Sequence, residues 1–563
     1  MDTGGIETSA IVAAFAAHAG LELTENERGR LEEYAETVWD MARRLRAVDN
    51  PGLEGLRDSM PLRAAYANRA GEAPEWQAAA VADARPGDPE RGAQALLSGV
   101  VEAAAAIRAG SVTPADLTAA ALERLARYDP FVRSTITVDS VGARAAAAAL
   151  TAELATSGPR SLLHGIVIGA KDSIPVAGMR CTYNSPLMRD WVPRRDAEPM
   201  RRLRAAGAVL IGKHNLNEFG WSLPSEQDLA PPPRNPWYPQ EFSVGSTSGG
   251  GAAVAAGLAS AAIGTDGGGS IRLPAAQHRL FGIKPGHDAV PRRGVGEGSV
   301  SEVSVLARSA EDAAAVLAAM LVDPDAPDAA GRFREEPAAR VAQVRGGAAG
   351  VRLGVPRGYI AEVDVEDDVA RAFAAACLAA EKVGIELVDL PDAALAVLPD
   401  AVRANFVIIA AEHYFDHEGP SVRRDRYGAS AAFYNLPGSC LSAADYLHAV
   451  RVGGIARAAV DAVLEDVDLI FTPTTPVTRT STARDPRSHR RGGNARFTSP
   501  FNLTGHPASS FPAGLSGEGI PVGVQLVGRR GSEFDQLRVA RAVAARLPLP
   551  PFPDMEAVIG GAK

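Results

Sequence analysis

Lysine is nearly missing from this 563-residue chain. Only Lys171, Lys213, Lys284, Lys382 and Lys563 stand among 58 basic residues, and the other 53 are arginine. Where a bare positive charge suffices, the chain carries Arg. A guanidinium cannot shed its proton near neutral pH, whereas a desolvated lysine amine can. Each retained lysine therefore poses a question, and three of the five fall within 171–284. Cysteine is scarce as well: Cys181, Cys377 and Cys440 are widely scattered with no CxxC pair. That excludes a disulfide framework and a cysteine zinc site, and it fits a reducing cytoplasm. The first residues, Met-Asp-Thr-Gly-Gly-Ile-Glu, lack the basic start and apolar core of a secretory signal. Alanine-rich runs are broken by charges before reaching membrane-spanning length. A net charge of −9 argues against a protein that mainly grips nucleic-acid phosphates. The basic cluster Arg484, Arg487, Arg490 and Arg491 around His489 reads as a solvated loop. The expectation is a cytoplasmic, soluble protein with neither membrane nor nucleic acid as partner.

With 46% hydrophobic and 22% charged residues, the composition is that of a globular protein. Residues 8–48 read as two helices: Ser9 can cap the first, and Thr24-Glu-Asn-Glu27 is a capping-box signature for the second. The chain then turns rich in proline and glycine. These features divide it into a helical hairpin domain over 1–65, a linker over 66–92 and a catalytic domain over 93–555. In the last, short β-rich runs (Gly165-Ile-Val-Ile-Gly169, Ala208-Val-Leu-Ile-Gly212, Ala261-Ala-Ile-Gly264, Val351-Arg-Leu-Gly-Val355, Val467-Asp-Leu-Ile-Phe471, Val522-Gly-Val-Gln-Leu-Val527) alternate with alanine-rich helical stretches at 310–322, 366–383 and 444–465. That alternation predicts an α/β fold, a mixed β-sheet core covered by helices.

Two glycine loops carry serine: Gly245-Ser-Thr-Ser-Gly-Gly-Gly251 and Gly264-Thr-Asp-Gly-Gly-Gly-Ser270. Glycines let consecutive backbone N–H groups turn towards one point, which suits an oxyanion site beside Ser270. Lys171 follows the apolar run Ile166-Val-Ile168. At a pKa of about 10.4 only roughly one lysine in 2,500 is neutral at pH 7, and burial raises that fraction. Ser246, a short hydroxyl that both donates and accepts, can relay protons between Lys171 and Ser270. Competing motifs fail on spacing: there is no Walker A ending, no GxGxxG, no GxSxG elbow and no SxxK. Glycine loops also bind phosphate or merely turn, and the residues alone leave that open.

The segment 245–258 followed by Gly264-Thr-Asp-Gly-Gly-Gly-Ser-Ile-Arg-Leu-Pro-Ala-Ala276 resembles the signature of the amidase signature family. Similar stretches are Gly169-Ala-Lys-Asp-Ser-Ile-Pro-Val-Ala-Gly178, Gly207-Ala-Val-Leu-Ile-Gly-Lys-His-Asn215, Phe471-Thr-Pro-Thr-Thr-Pro476 and Phe501-Asn-Leu-Thr-Gly-His-Pro507. The resemblance implies the amidase signature fold and a Ser–cisSer–Lys triad on Ser270, Ser246 and Lys171, with the cis bond at Ser246. It places the oxyanion donors on the backbone of Gly267, Gly268 and Gly269 together with Ser270. Asp266 and Arg272 become structural supports, Trp221 and Thr247 substrate-binding residues, and Lys213 and Lys284 anchors. It implies no cofactor. The N-terminal hairpin with Ala47-Val-Asp-Asn-Pro-Gly-Leu53 resembles the small C subunit of glutamine-dependent tRNA amidotransferases.

Departures narrow the expected substrate. Where glutamine-using A subunits carry Asp-Ile-Phe-Thr, this chain has Ala495-Arg-Phe-Thr498, which removes an acidic partner for glutamine's ammonium. The resulting expectation is an amidase with a small-molecule amide substrate as partner, working by itself or as a homodimer. The alternatives are an ammonia-supplying A-type subunit, an acyltransferase using the same acyl-enzyme and, last, a non-catalytic scaffold. His413 and His417 lie four apart on a predicted helix, but no third ligand accompanies them, so no metal is assigned.

Overall fold

The computed structural model describes residues 87–561 apart from 222–227, 418–435 and 480–492, with a few isolated positions before residue 41. The expected hairpin over 1–65, isolated positions apart, and residues 66–86 of the expected linker lie outside the described residues, and the last four linker positions open the helix Pro89–Ser98.

Eleven strands form one mixed sheet: β1 (Thr135–Val138), β2 (Val167–Lys171), β3 (Val209–His214), β4 (Ala261–Asp266), β5 (Phe281–Lys284), β6 (Glu302–Ala307), β7 (Arg352–Val355), β8 (Glu386–Asp389), β9 (Leu469–Pro473), β10 (Ala508–Leu515) and β11 (Pro521–Gly528). Their spatial order is β1-β3-β2-β4-β6-β5-β10-β11-β9-β7-β8. β2 runs parallel to both β3 and β4, with Ala170 opposite Ile263. The central strands β4, β6, β5, β10 and β11 pair antiparallel. β2, β3, β4 and β6 are buried along their whole length, as strands covered on both faces must be. The mixed, helix-covered sheet is the architecture that the alternating runs imply.

The glycine-flanked runs all lie in or across strands, and the three alanine-rich stretches become helices 310–321, 367–382 and 443–466. The last opens on a capping box in which Ser442 Oγ accepts from Asp445 N and the Asp445 carboxylate accepts from Ser442 N. Between 89 and 132 the chain forms three successive helices. Gly99 adopts φ 96°, where a Cβ would lie 2.2 Å from Asp312 Oδ2, so the first breaks there and a second runs over Val100–Arg108. The third is α1 (Pro114–Val132), where Thr113 Oγ1 caps Asp116 N at 3.1 Å.

One other helix needs explanation. α2 (Ser248–Ala255) begins Ser-Gly-Gly-Gly, and each glycine costs about 1 kcal/mol of helix propensity relative to alanine. Close packing requires them. A Cβ at Gly249 would lie 2.3 Å from Ser134 O and 2.5 Å from Asn215 N. The helix therefore rests directly on the end of β3, which carries Ser246 into the sheet's edge.

The stretch from Asp392 to Asp416 is long and apolar enough to cross a membrane. Within it, α3 (Leu398–His417) buries Ala401, Ala404, Val407 and Ile408 against Ala449, Val452 and Ala456 of α4 (Ala443–Asp466), the packing of a core helix. On the opposite side, Phe471 of β9 lies 5.0 Å from the Phe373 ring and 6.3 Å from Phe511 (centroid to centroid) and is fully buried. Phe471→Ala should lower stability by about 3–5 kcal/mol through lost burial and a cavity. Urea unfolding monitored by circular dichroism measures it as a lower midpoint at unchanged slope.

Candidate active site

The parallel pairing of β2 and β4 brings their carboxyl ends to the same sheet edge, where ligands of α/β sheets characteristically bind. Lys171 is the last residue of β2, and Thr265 and Asp266 are the last of β4. Lys171 is fully buried, and its Nζ lies 2.9 Å from Ser246 Oγ, 2.6 Å from Thr265 Oγ1 and 3.2 Å from Glu297 Oε1. The Gly245–Ser246 peptide is cis. Ser270 follows on the adjacent loop, half-buried, and its carbonyl accepts from Thr247 N at 3.3 Å. That bond fastens the two serine loops to each other. The sequence-predicted Lys171, Ser246 and Ser270 thus come from three separate segments to one edge.

Burial pushes the Lys171 ammonium below its ordinary pKa, against the opposing pull of Glu297 and then of Asp266. Glu297 was not legible as a site residue. Its side chain is 12% exposed, and its other oxygen accepts from Ser301 Oγ at 3.2 Å. Burial opposes its charge, but Lys171 and the hydroxyls of Ser173 and Thr265 outweigh that and hold its carboxyl below the usual range.

The glycine loop is fixed peptide by peptide, because a trans peptide points its N–H opposite to its C=O. Asn405 Nδ2 donates to Gly267 O at 3.0 Å, which turns the Gly268 N–H the other way. Leu273 N donates to Gly269 O at 2.8 Å, which does the same for the Ser270 N–H. The peptide between is held at both ends: Thr498 Oγ1 donates to Gly268 O at 2.7 Å, and Gly269 N donates to Asp266 Oδ1 at 2.7 Å. The expected oxyanion set therefore needs one correction. The Gly269 N–H is already engaged by a carboxylate and so is not the open donor expected of it.

Asp266 and Arg272 are both fully buried and form a two-pronged ion pair, Arg272 Nε to Oδ2 and Nη2 to Oδ1, each at 2.9 Å. Burial opposes the Asp266 charge, yet the guanidinium outweighs it and holds the carboxyl far below its usual range. Arg272 also donates to Thr498 O at 2.8 Å, Gln525 Oε1 at 2.7 Å and Asn502 Oδ1 at 2.6 Å.

Thr247 does not line a substrate pocket. It is fully buried, its hydroxyl is 3.4 Å from Thr265 O, and its methyl faces Gly250 and Gly264. Trp221 is half-buried beside Gly220 and packs its ring against His413 and Phe406, each 5.7 Å away between centroids. Burial lowers the His413 pKa to about 4, so the ring is neutral at pH 7. Lys213 pairs with Asp172 at 3.2 Å, both fully buried. Lys284 donates to Pro285 O at 2.9 Å, and burial, then Arg272, brings its pKa down to about 8. A His287, Asp288 and Glu302 group sits close enough to share an ion, but the Arg292 guanidinium stands 3.6 Å from Asp288 and 3.9 Å from Glu302 and supplies the positive charge there.

A buried lysine within reach of a serine hydroxyl, beside a glycine loop that bears a second serine, is an arrangement that can support amide C–N cleavage. The family model described as Amidase matches residues 116–537. The chain belongs to the amidase signature family. Over 476 residues it is 35% identical to the A subunit of the glutamyl-tRNA(Gln) amidotransferase from a Roseiflexus species, spanning 78% of this chain and 94% of that one. Among solved structures it is similar to one reported from a vestigial protein complex behind an s-triazine catabolic enzyme (28% identity, TM-score 0.70, 79% of this chain and 98% of that one). It is also similar to the peptide amidase of Stenotrophomonas maltophilia (26% identity, TM-score 0.66, 82% and 99%). The amidotransferase relatives correct the partner expectation. A self-sufficient or homodimeric enzyme with only a small-molecule amide as partner, apart from nucleic acid, does not fit relatives that are subunits of a tRNA-directed amidotransferase and are matched over nearly their whole length.

Gly269 has φ +133°, and a Cβ there would lie 2.4 Å from Thr498 Oγ1. Gly269→Ala should therefore displace the loop and lower kcat by at least about tenfold, strain of this kind costing about 1–3 kcal/mol. Steady-state kinetics beside an unchanged far-UV circular dichroism spectrum checks it.

Proposed function

We propose that the chain is an A-type subunit of an amidotransferase, cleaving an amide to supply ammonia to a partner. The observation that carries the chemistry is Lys171 Nζ at 2.9 Å from Ser246 Oγ in a fully buried setting. Neutral Lys171 accepts the Ser246 proton while Ser246 accepts that of Ser270. Ser270 Oγ then attacks the amide carbon, and the negative charge on its oxygen faces the free N–H groups of the glycine loop. On collapse the C–N bond breaks, the proton returns through Ser246 to the leaving nitrogen, and ammonia departs. Water attacks the acyl-enzyme by the same relay and regenerates Ser270. In this reading the catalytic domain occupies 93–555, the 1–65 hairpin stands in for a C-type subunit, and 66–92 tethers the two. Scattered cysteines and tRNA-directed relatives support work in the cytoplasm.

Glutamine is the donor amide this role implies. A second reading, a donor other than glutamine, is favoured by Ala495-Arg496, because Arg496 turns away to Glu362 at 3.6 Å and neither residue offers a carboxylate. Ammonia release measured on glutamine, asparagine and a C-terminal peptide amide separates the two.

Ser270→Ala should reduce ammonia release by more than about a thousandfold and abolish labelling by a fluorophosphonate, as loss of a serine nucleophile does. Near-wild-type turnover in that variant overturns the assignment. Lys171→Arg should be comparably inactive at pH 7, since a guanidinium stays charged. Affinity purification of the tagged chain from its host should retain a second protein and tRNA. Recovery of the chain free of both, with full turnover and no response to added glutamyl-tRNA, would rule out the subunit role.

A further inference from the structure

The carboxylate of Glu297 lies outside the roles assigned so far, yet it touches the group on which the chemistry depends. A lysine ammonium has three N–H donors and no acceptor, and Lys171 has three oxygen partners: Ser246 Oγ, Thr265 Oγ1 and Glu297 Oε1. In that state it donates to Ser246 and cannot take its proton. Only the neutral amine offers Ser246 a lone pair. The carboxylate favours the charged amine and burial favours the neutral one, so the two oppose each other at a single nitrogen.

We infer that Glu297 is a positioning residue that shares a proton with Lys171, restraining the base at low pH and stabilising the ammonium that forms during the reaction. The inference rests on the Ser270–Ser246–Lys171 reading above. Balance is simple: the proton leaving Ser270 and Ser246 ends on Lys171, creating a cation 3.2 Å from Glu297 Oε1. Glu297 is itself held for this, with Oε2 accepting from Ser301 Oγ at 3.2 Å and the nearby Ser173 and Thr265 hydroxyls favouring its charged form. The other charged or titratable groups facing the pair belong to different elements. Asp266 ends β4 and is neutralised by Arg272. His413 reaches in from α3, and burial keeps it neutral at pH 7. Glu412, also on α3, accepts from Ser299 N at 2.6 Å and Tyr446 Oη at 2.8 Å. Cys181, whose thiol burial pushes up to about 12, and the Lys213–Asp172 pair complete the set. Glu297→Gln changes none of these side chains, and losing its charge removes a pull that raises the His413 and Cys181 pKa values, which leaves His413 neutral.

The test follows the rate of Ser270 phosphonylation by a fluorophosphonate across pH 5–10, read by intact mass, which requires no knowledge of the natural amide. Removing the carboxylate removes what holds the proton on Lys171, so its pKa falls and the neutral base persists to lower pH. Glu297→Gln should therefore shift the acid limb of the labelling profile downward by at least about one pH unit, while lowering the plateau about tenfold or more. A residue that only packs would lower the plateau and leave the limb in place. Glu297→Asp, which keeps a carboxylate, should restore the limb towards wild type, and it carries the test if the glutamine variant does not fold. In that case the expected result is a limb near wild type at a lower plateau, and a plateau equal to wild type overturns the inference, because a shortened carboxylate cannot keep the same contact with Lys171. A Glu297→Gln limb coincident with wild type also overturns it. The underlying triad reading fails separately, if Ser270→Ala is still labelled.

Discussion

The ion pair between Asp266 and Arg272 is the constraint on which the site's geometry depends. Two opposite charges with no exposure to water persist only where every remaining donor and acceptor is satisfied. Here they are, by Thr498 O, Asn502 Oδ1 and Gln525 Oε1 on the arginine and by the amides of Gly269, Ile271 and Arg272 on the aspartate. Removing one partner of such a pair typically costs about 3–5 kcal/mol. The same bonds that satisfy the charges also shape the loop bearing Ser270. Structural support and catalytic alignment are one hydrogen-bond network in this protein.

A second opposition operates at Lys171. The core offers this amine no water, which favours its neutral form, while three oxygens surround it, which favours its charged form. Lys213 and Lys284 are equally buried but differently used. Lys213 forms an ion pair with Asp172, and Lys284 shares its surroundings with Arg272. Burial is therefore common to all three lysines of the 171–284 stretch, and what distinguishes Lys171 is a serine hydroxyl within reach.

Much of this was legible from residue patterns. Lys171 was marked by its apolar approach, and Ser246 and Ser270 by glycine runs that a helix would otherwise reject. The six apolar runs bounded by glycine or turn residues lie in strands. Less visible were β1, β5, β6, β8 and β10. Thr135–Val138 is four residues long and half-exposed, and Glu302–Ala307 contains Glu and Ser buried by tertiary pairing, so the polar/apolar alternation each carries is too short to stand out from the flanking sequence. Glu297 lies in a glycine-rich loop, Gly294-Val-Gly-Glu-Gly298, where nothing local distinguishes it from a solvated turn. Thr247 misled in the opposite sense: next to Ser246 in sequence, it is fully buried with its methyl against Gly250 and Gly264. The small-molecule partner expectation weighed one missing acidic residue, Ala495 in place of aspartate, more heavily than similarity across the whole domain.

The clamp on the glycine loop is drawn from the far end of the chain: Thr498, Asn502 and Gln525 reach back some 230 to 250 residues to Gly268, Asp266 and Arg272. On the ribosome, Lys171, Ser246 and Ser270 emerge long before those partners exist. A chain cut short before residue 498 thus carries Ser270 without the scaffold that holds its loop. The loop takes its final shape only once residues 498–525 have joined the fold.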